Sequence, residues 1–313
     1  MAERSGAADG LAIDVRGMTK RFGPITAVDR IDLQVRAGEI CGFLGPNGSG
    51  KTTFIRMLCG LLRPDAGRGT CLGHDVITES GAIKRQVGYM TQRFSFYEDL
   101  SIAENLDFVA RMYAVPDRRR AVRESLEQLG LAHRQRQLAG QLSGGWKQRL
   151  ALAACMIHAP RLLLLDEPTA GVDPNARREF WEEIHRLAGR GLTVLIATHY
   201  MDEAERCHRL AYIASGRLLT HGTVPEVIAK ARLTTWLVSG PDLVGLAGQL
   251  RVRPGVQQIV AFGSRLRVSG DDAEQLEQAI APFRAGRHDW QRVEPGIEDI
   301  FIHLTEAAGS GPS

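Results

Sequence analysis

Gly45-Pro46-Asn47-Gly48-Ser49-Gly50-Lys51-Thr52-Thr53 reads G-x-x-x-x-G-K-T, the pattern of a phosphate-binding P-loop. Glu39 to Leu44, just before it, read as a buried strand. Thr52 to Leu62 lie just after it and place Phe54, Ile55, Leu58, Leu61 and Leu62 on one face of a helix. A strand, a glycine-rich turn and a helix start together make an anion cradle: backbone N–H groups point inward and the helix dipole favours phosphate. In such a loop Lys51 reaches the β- and γ-phosphates and the Thr52 hydroxyl holds Mg²⁺. With glycine at about 7% of average usage, the fixed positions arise by chance in roughly one chain per hundred of this length. The strand-before, helix-after setting makes chance rarer still, so the stretch predicts nucleotide binding.

The chain has 313 residues, enough for one large domain and a smaller one. Its 44% hydrophobic and 24% charged fractions are those of an ordinary soluble globular protein. A net charge of +3 is too small to argue for nucleic acid as the main partner. No apolar run approaches the roughly 18 residues of a membrane-spanning helix. Residues 1–10 are small and polar and predict a flexible N-terminus without a signal peptide, hence a cytosolic chain. Cys41, Cys59, Cys71, Cys155 and Cys207 are scattered without a C-x-x-C pair, which predicts buried, reduced thiols.

On the N-terminal side of the loop, Leu11 to Val15 and Ile31 to Val35 alternate apolar with polar, as half-buried antiparallel strands do. Lys20 to Pro24 between them read as a turn, where Phe22 is either a core residue or a ring free to stack on a base. On the C-terminal side, Val87 to Thr91 read as a strand leading to Gln92. From Ser101 to Gln141 the pattern turns helical, opened by the capping sequence Ser101-Ile102-Ala103-Glu104. Its run Arg118-Arg119-Arg120 with Arg123 suits a solvated face, or contact with anionic lipid headgroups. Leu142-Ser143-Gly144-Gly145-Trp146 then precedes a helix expected from Lys147 to about His158, a second helix start ready for an anion.

Arg161 to Pro168 carries Leu162-Leu163-Leu164-Leu165-Asp166-Glu167. Such a leucine run is a strand buried on both faces, as in a parallel sheet covered by helices. Two acids at its end are costly without a task or a partner. Ligands bind at the carboxyl ends of strands in open α/β sheets. Side chains alternate along a strand, so the two acids do different things: Asp166 suits a Mg²⁺ ligand and Glu167 a base for an attacking water. Ala170 to Pro174 form a turn in which Asp173 can cap the next helix. Thr193 to Thr198 is another buried strand, and His199 at its end is placed to donate to a γ-phosphate.

Residues 232–306 have their own rhythm, β-α-β-β-α-β, which predicts a small ferredoxin-like α+β domain closed by a helix from Ile297 to Leu304. It carries no motif with chemistry, and regulation or dimerisation is its default role. The Gly/Ser/Pro-rich end, 307–313, reads as disordered.

Taken together, the motifs over residues 11–227 resemble the nucleotide-binding subunit of an ABC transporter. Gly45 to Thr52 is similar to the Walker A loop, Gln92 to the Q-loop glutamine and Leu142 to Trp146 to the LSGGQ signature. Leu162 to Glu167 resembles Walker B, Ala170 to Asp173 the D-loop and His199 the switch histidine. Phe22 falls where the family stacks an aromatic ring on adenine. Trp146 departs from the family's glutamine, and AGVD from its commoner SALD.

The resemblance implies an α/β P-loop NTPase cassette: a mainly parallel core sheet, an antiparallel β subdomain, and a helical subdomain at about 93–145. It implies ATP bound by Gly45-Pro46-Asn47-Gly48-Ser49-Gly50-Lys51-Thr52-Thr53 and Phe22, with Mg²⁺ at Thr52, Gln92 and Asp166. It implies catalysis by Glu167, His199 and Gln92. Ser143, Gly144 and Gly145 would meet the ATP of a second subunit, most simply in a homodimer, with Asp173 in the D-loop between them. The single cassette, its AGVDP turn and the segment from Ile297 to Thr305 resemble ATPases paired with ABC-2-type exporter permeases, of the multidrug-efflux kind. The chain would then sit on the inner face of the cell membrane, with Arg93 to Tyr97 lining the permease groove. An importer ATPase, or an ABC protein acting on ribosomes or DNA, remains the alternative.

Overall fold

The structure is a computed structural model that describes residues 10–309. The flexible start expected over 1–10 therefore lies outside it apart from Gly10, as do residues 310–313 of the expected tail. Two compact units meet in the chain between Leu218 and Leu219.

The first unit opens on a long antiparallel hairpin, β1 (Leu11–Phe22) and β2 (Ile25–Arg36). The turn expected over Lys20 to Pro24 shrinks to Gly23-Pro24, because Gly23 adopts a left-handed φ of 57° that closes a two-residue turn. Then come β3 (Ile40–Leu44), α1 (Lys51–Leu58), β4 (Ala66–Cys71) and the short β5 (His74–Asp75). β2, β1, β4 and β5 make a four-stranded antiparallel sheet. α2 (Ser80–Gln86) leaves no periodic stripe in the sequence, since Ile83 is its only buried residue.

β6 (Val87–Met90) leads into the helical insert, α3 (Ile102–Met112) and α4 (Arg118–Gln128). The helical stretch expected from Ser101 to Gln141 is broken: Ala114 and Asp117 hold left-handed φ values of 50° and 45° around Pro116. Beyond Gly130 only two single 3₁₀ turns remain, at 132–134 and 139–141. Ser101 and Glu104 form the expected capping box. Part of the arginine run is paired, Arg118 with Asp107 and Arg120 with Glu124.

α5 (Gly144–Met156) starts at the glycines, earlier than the expected Lys147. The unit continues through β7 (Leu162–Asp166), α6 (Pro174–Ala188), β8 (Thr193–Thr198), the one-turn α7 (Met201–Ala204), β9 (Arg209–Ala214) and β10 (Arg217–Gly222). The core sheet runs β10-β9-β3-β8-β7-β6, with β9, β3, β8, β7 and β6 parallel to one another. Leu162 to Leu165 are fully buried, as a strand covered on both faces must be. Phe43 stacks on Phe54 at 4.9 Å and ties β3 to the helix after the P-loop. All five cysteines are buried and unpaired, and burial pushes the Cys41, Cys71 and Cys155 thiols up to about 12.

The second unit contains α8 (Val224–Ala231), β11 (Thr234–Ser239), α9 (Leu243–Leu250), β12 (Gln258–Phe262), β13 (Arg265–Gly270), α10 (Ala273–Arg284), β14 (Asp289–Val293) and α11 (Ile297–Gly309). Its sheet order, β12-β13-β11-β14, is antiparallel throughout, which is the order of a ferredoxin-like sandwich. The first domain is expected to close near Val227, after a hairpin of Arg209 to Ile213 and Arg217 to Thr220. The division between the units falls instead at Leu218, and α8 packs against α11. α11 also runs past the expected Leu304, carrying 307–309 where disorder was expected.

Gly88 seats α5 on the sheet: a Cβ there would come 2.5 Å from the Cys155 carbonyl oxygen and 2.6 Å from Leu163. Gly88→Ala should destabilise the fold by about 1–3 kcal/mol, the cost of overpacking, read as an earlier urea midpoint.

Candidate functional site

The carboxyl ends of β3, β8, β7 and β6 lie side by side, and each delivers a functional group. β3 runs into the P-loop. Gly50 begins α1 with a left-handed φ of 106°, and a Cβ on it would meet the Ala27 carbonyl oxygen at 2.2 Å, so the loop requires glycine there. Lys51 is buried. Its Nζ donates to the carbonyl oxygens of Gly45 (2.7 Å) and Pro46 (3.0 Å) and lies 3.6 Å from Glu167 Oε1. Burial holds this ammonium below its ordinary pKa, opposed by the Glu167 charge.

β7 ends on Asp166 with Glu167 just beyond it, and the two acids diverge as expected. Asp166 Oδ1 accepts from the Thr52 hydroxyl at 3.0 Å. Burial pushes its carboxyl up, and the Thr52 hydrogen bond opposes that. Glu167 adopts a left-handed backbone with φ 48°, uncommon for a residue with a side chain and a form of strain that clusters at functional sites. Its Oε2 accepts from Gln92 Nε2 at 2.9 Å. Its Oε1 faces Lys51 and lies 3.3 Å from His199 Nδ1, near enough for charge contact but not aligned as a hydrogen bond.

Lys51, Thr52, Asp166, Glu167, Gln92 and His199 are thus brought together, though the chain carries them on four separate segments. Ser49 Oγ is buried without a partner in the loop, and an orphaned hydroxyl at a helix start fits a phosphate oxygen. Pro46, Asn47 and Gly48 stand exposed above it, while Gly45 is buried and Thr53 half-buried in the first turn of α1. The Thr52 hydroxyl and Asp166 carboxylate are hard oxygen donors of the kind Mg²⁺ takes. Gln92, expected beside them, turns its amide nitrogen to Glu167.

Phe22 is half exposed at the end of β1, beside the hairpin turn, with Lys20 Nζ 5.7 Å from its ring centroid. It is not a core residue. Asp173 caps α6 through the N–H groups of Asn175 (3.1 Å) and Ala176 (3.0 Å). Ser143 and Gly144 are exposed at the start of α5, where the Ser143 hydroxyl makes no cap hydrogen bond. Gly145 is pressed against Ala176, whose Cβ a side chain at 145 would meet at 2.8 Å. A cleft of about 260 Å³ lies between the strand ends and α5, lined by Gln92, Phe94, Phe96, Lys147, Glu167 and Val172.

Gln148 escaped the sequence reading because it sits at an apolar-spaced position of α5, yet its amide donates to the Pro168 carbonyl beside Glu167. Trp146 has a packing role. The guanidinium groups of Arg134 and Arg149 lie 4.7 Å and 5.4 Å from its ring, and His133 meets it edge-on. Trp146→Ala should therefore cost about 1–2 kcal/mol of stability, and Trp146→Phe less, measured by denaturant unfolding.

Parallel strands that deliver a P-loop, paired acids and a histidine to one edge define a P-loop nucleotide-binding cassette. The comparisons with known proteins agree. The profile of the family described as ABC transporter matches residues 28–170. The probable multidrug ABC transporter ATP-binding protein YbhF of Escherichia coli is 42% identical over 223 residues, 70% of this chain and 38% of that protein. The chain therefore spans well under half of that relative. The daunorubicin resistance ATP-binding protein DrrA3 of Streptomyces coeruleorubidus is 36% identical over 310 residues, 94% of this chain and 96% of its own. The Nod factor export ATP-binding protein I of Rhizobium sp. strain N33 is 36% identical over 303 residues, covering 94% and 97%. Among solved structures, cbiO1 from Clostridium perfringens, part of the ABC transporter complex cbiONQ, superposes with a TM-score of 0.63 at 25% identity, over 78% of this chain and 100% of its own. The chain belongs to the ABC transporter family, as an ATP-binding cassette.

Proposed function

We propose that this chain binds and hydrolyses ATP as the energy-supplying subunit of an exporter, working as a dimer on a separate ABC-2-type permease. The observation that carries the reading is the single cluster in which Glu167 meets Lys51, Gln92 and His199 while Asp166 holds Thr52.

In this reading the loop from Gly45 to Thr53 cradles the phosphates through its N–H groups, and Lys51 swings from its own carbonyls to the β- and γ-phosphate oxygens. Phe22 offers its exposed ring to the adenine. Thr52 and Asp166, with Gln92 nearby, would hold Mg²⁺, which neutralises charge as the phosphoryl group leaves. Glu167 takes the proton of the attacking water, Gln92 orients that carboxylate, and His199 donates to the γ-phosphate.

Ser143 and Gly144 stand exposed with unused hydrogen-bonding capacity. We infer that, with Gly145, they close over the ATP of a second copy, with Asp173 in the D-loop at the contact. Closing on ATP and opening on hydrolysis is a switch biased by one phosphate. The cleft bordered by Phe94 and Phe96 is the surface for a permease segment, since aromatics suit such contacts. No helix among the described residues is long and apolar enough to cross a membrane, so a separate channel partner at the inner face of the membrane is part of the proposal. Export is favoured over import because relatives matched over nearly their whole length carry the names drug resistance and Nod factor export.

Glu167→Gln should still bind ATP and accumulate as a dimer by size-exclusion chromatography with light scattering. Turnover of that variant at the wild-type rate would remove Glu167 as the base. Lys51→Ala should weaken ATP binding by about 10- to 100-fold, the loss of charge-assisted hydrogen bonds to phosphate, measured by calorimetry.

A further inference from the structure

Beside the catalytic cluster lies a second set of groups that ATP chemistry does not use. Glu203 in α7 is completely buried. One carboxylate oxygen accepts from the Thr169 hydroxyl, and the other has no hydrogen-bond partner. Arg177 Nε lies 4.0 Å from Glu203 Oε1, and Arg177 Nη1 donates to Asp202 at 3.4 Å. The same guanidinium sits 4.3 Å from the centroid of the Tyr200 ring, and that ring is 4.2 Å from the ring of His199. His199 in turn faces Glu167, two positions before Thr169 in the chain. The contacts close a circuit: Glu167, His199, Tyr200, Arg177, Glu203, Thr169.

We propose that Arg177, Tyr200 and Glu203 are positioning residues that hold His199 against Glu167 and link it to the start of α6. The proposal rests on the reading of His199 as a γ-phosphate donor. A buried carboxylate costs several kcal/mol unless paired, so Glu203 is a poor choice where packing alone is required. α7 is only four residues long, too short to hold its own shape. Glu203 and Tyr200 help to fix its place, and with it that of His199, beside the packing of buried Ala204 and the hydrogen bond from the Tyr200 N–H to the Thr198 hydroxyl. Arg177 sits in the first turn of α6, the helix that Asp173 caps and against which Gly145 packs. A shift of that helix start when a second copy docks therefore moves the guanidinium that carries the Tyr200 ring. The contact to Tyr200 is made through its ring face, which sets it apart from a hydroxyl relay.

The test uses the purified 313-residue chain with Arg177→Gln, Tyr200→Leu and Tyr200→Phe. Arg177→Gln and Tyr200→Leu should each lower kcat roughly tenfold, the scale of a small misplacement of a catalytic group, with the KM for ATP within about twofold of wild type. Tyr200→Phe should keep wild-type kcat. Arg177→Gln and Tyr200→Leu combined should lose no more than the larger single effect, since both break one circuit. The imidazole NMR signals of His199, recorded without nucleotide, should move in Arg177→Gln although Arg177 does not touch that ring. Unmoved His199 signals in Arg177→Gln, or a Tyr200→Phe variant as slow as Tyr200→Leu, would overturn the proposal. A kcat that falls only in step with the folded fraction seen by circular dichroism would also overturn it. The NMR reading needs no hydrolysis, so it separates failure of this circuit from failure of Glu167 as the base.

Discussion

Parallel pairing of β3, β8, β7 and β6 is the constraint on which the site depends. Their hydrogen-bonded register sets Leu44 opposite Thr198, Asp166 opposite Ala197, and Met90 opposite Leu165. The strand ends are therefore nearly level, and the P-loop, His199, Glu167 and Gln92 all emerge at the same edge. A one-residue slip of any strand would turn its side chains to the opposite face and take its group out of the cluster. The leucines of β7 and the apolar residues of β8, buried on both faces, make such a slip costly, so the hydrophobic core and the geometry of the cluster are secured by one set of contacts.

The site concentrates opposed charges in little water. Lys51, Asp166 and Glu167 are all buried, and each has a partner from a different segment. The same burial acts on Lys51 and Asp166 in opposite senses, lowering the ammonium pKa and raising that of the carboxyl. Glu167 opposes it at Lys51 and reinforces it at Asp166, where the Thr52 hydrogen bond and the Lys51 charge oppose it. The left-handed backbone at Glu167 adds conformational strain to the electrostatic cost. Strain and desolvation at Glu167 are offset by the Gln92 hydrogen bond and the Lys51 charge, which is how a pre-organised site differs from a surface ion pair.

How much of this is legible in the chain depends on whether a feature is local. The P-loop, the buried leucine strand and the acids at its end are contiguous, and their spacing carries the physics. The ferredoxin-like unit is legible because each of its elements has its own period. α2 is not, because one buried residue makes no stripe. Nor is the break at Ala114 to Asp117, where the helical pattern continues while the backbone does not. The circuit through Arg177, Tyr200 and Glu203 spans two helices and a loop, and each of its members alone reads as an ordinary surface residue. Trp146 is visible as a departure from the family pattern, and Arg149 follows it by one turn of α5. Arg134 and His133, however, come from the 3₁₀ turn at 132–134, so much of its packing emerges only on folding.

Lys51 has its charge met by the loop it belongs to. With Nζ bonded to the carbonyls of Gly45 and Pro46, the loop acts as a dry substitute for the lysine's hydration shell. In the proposed function a phosphate competes for the ammonium with these carbonyl oxygens. Binding is an exchange of oxygen for oxygen, in which part of the phosphate's attraction goes into displacing backbone dipoles. That exchange, in the proposed function, discriminates by charge: a neutral oxygen gains little by it, a charged one more.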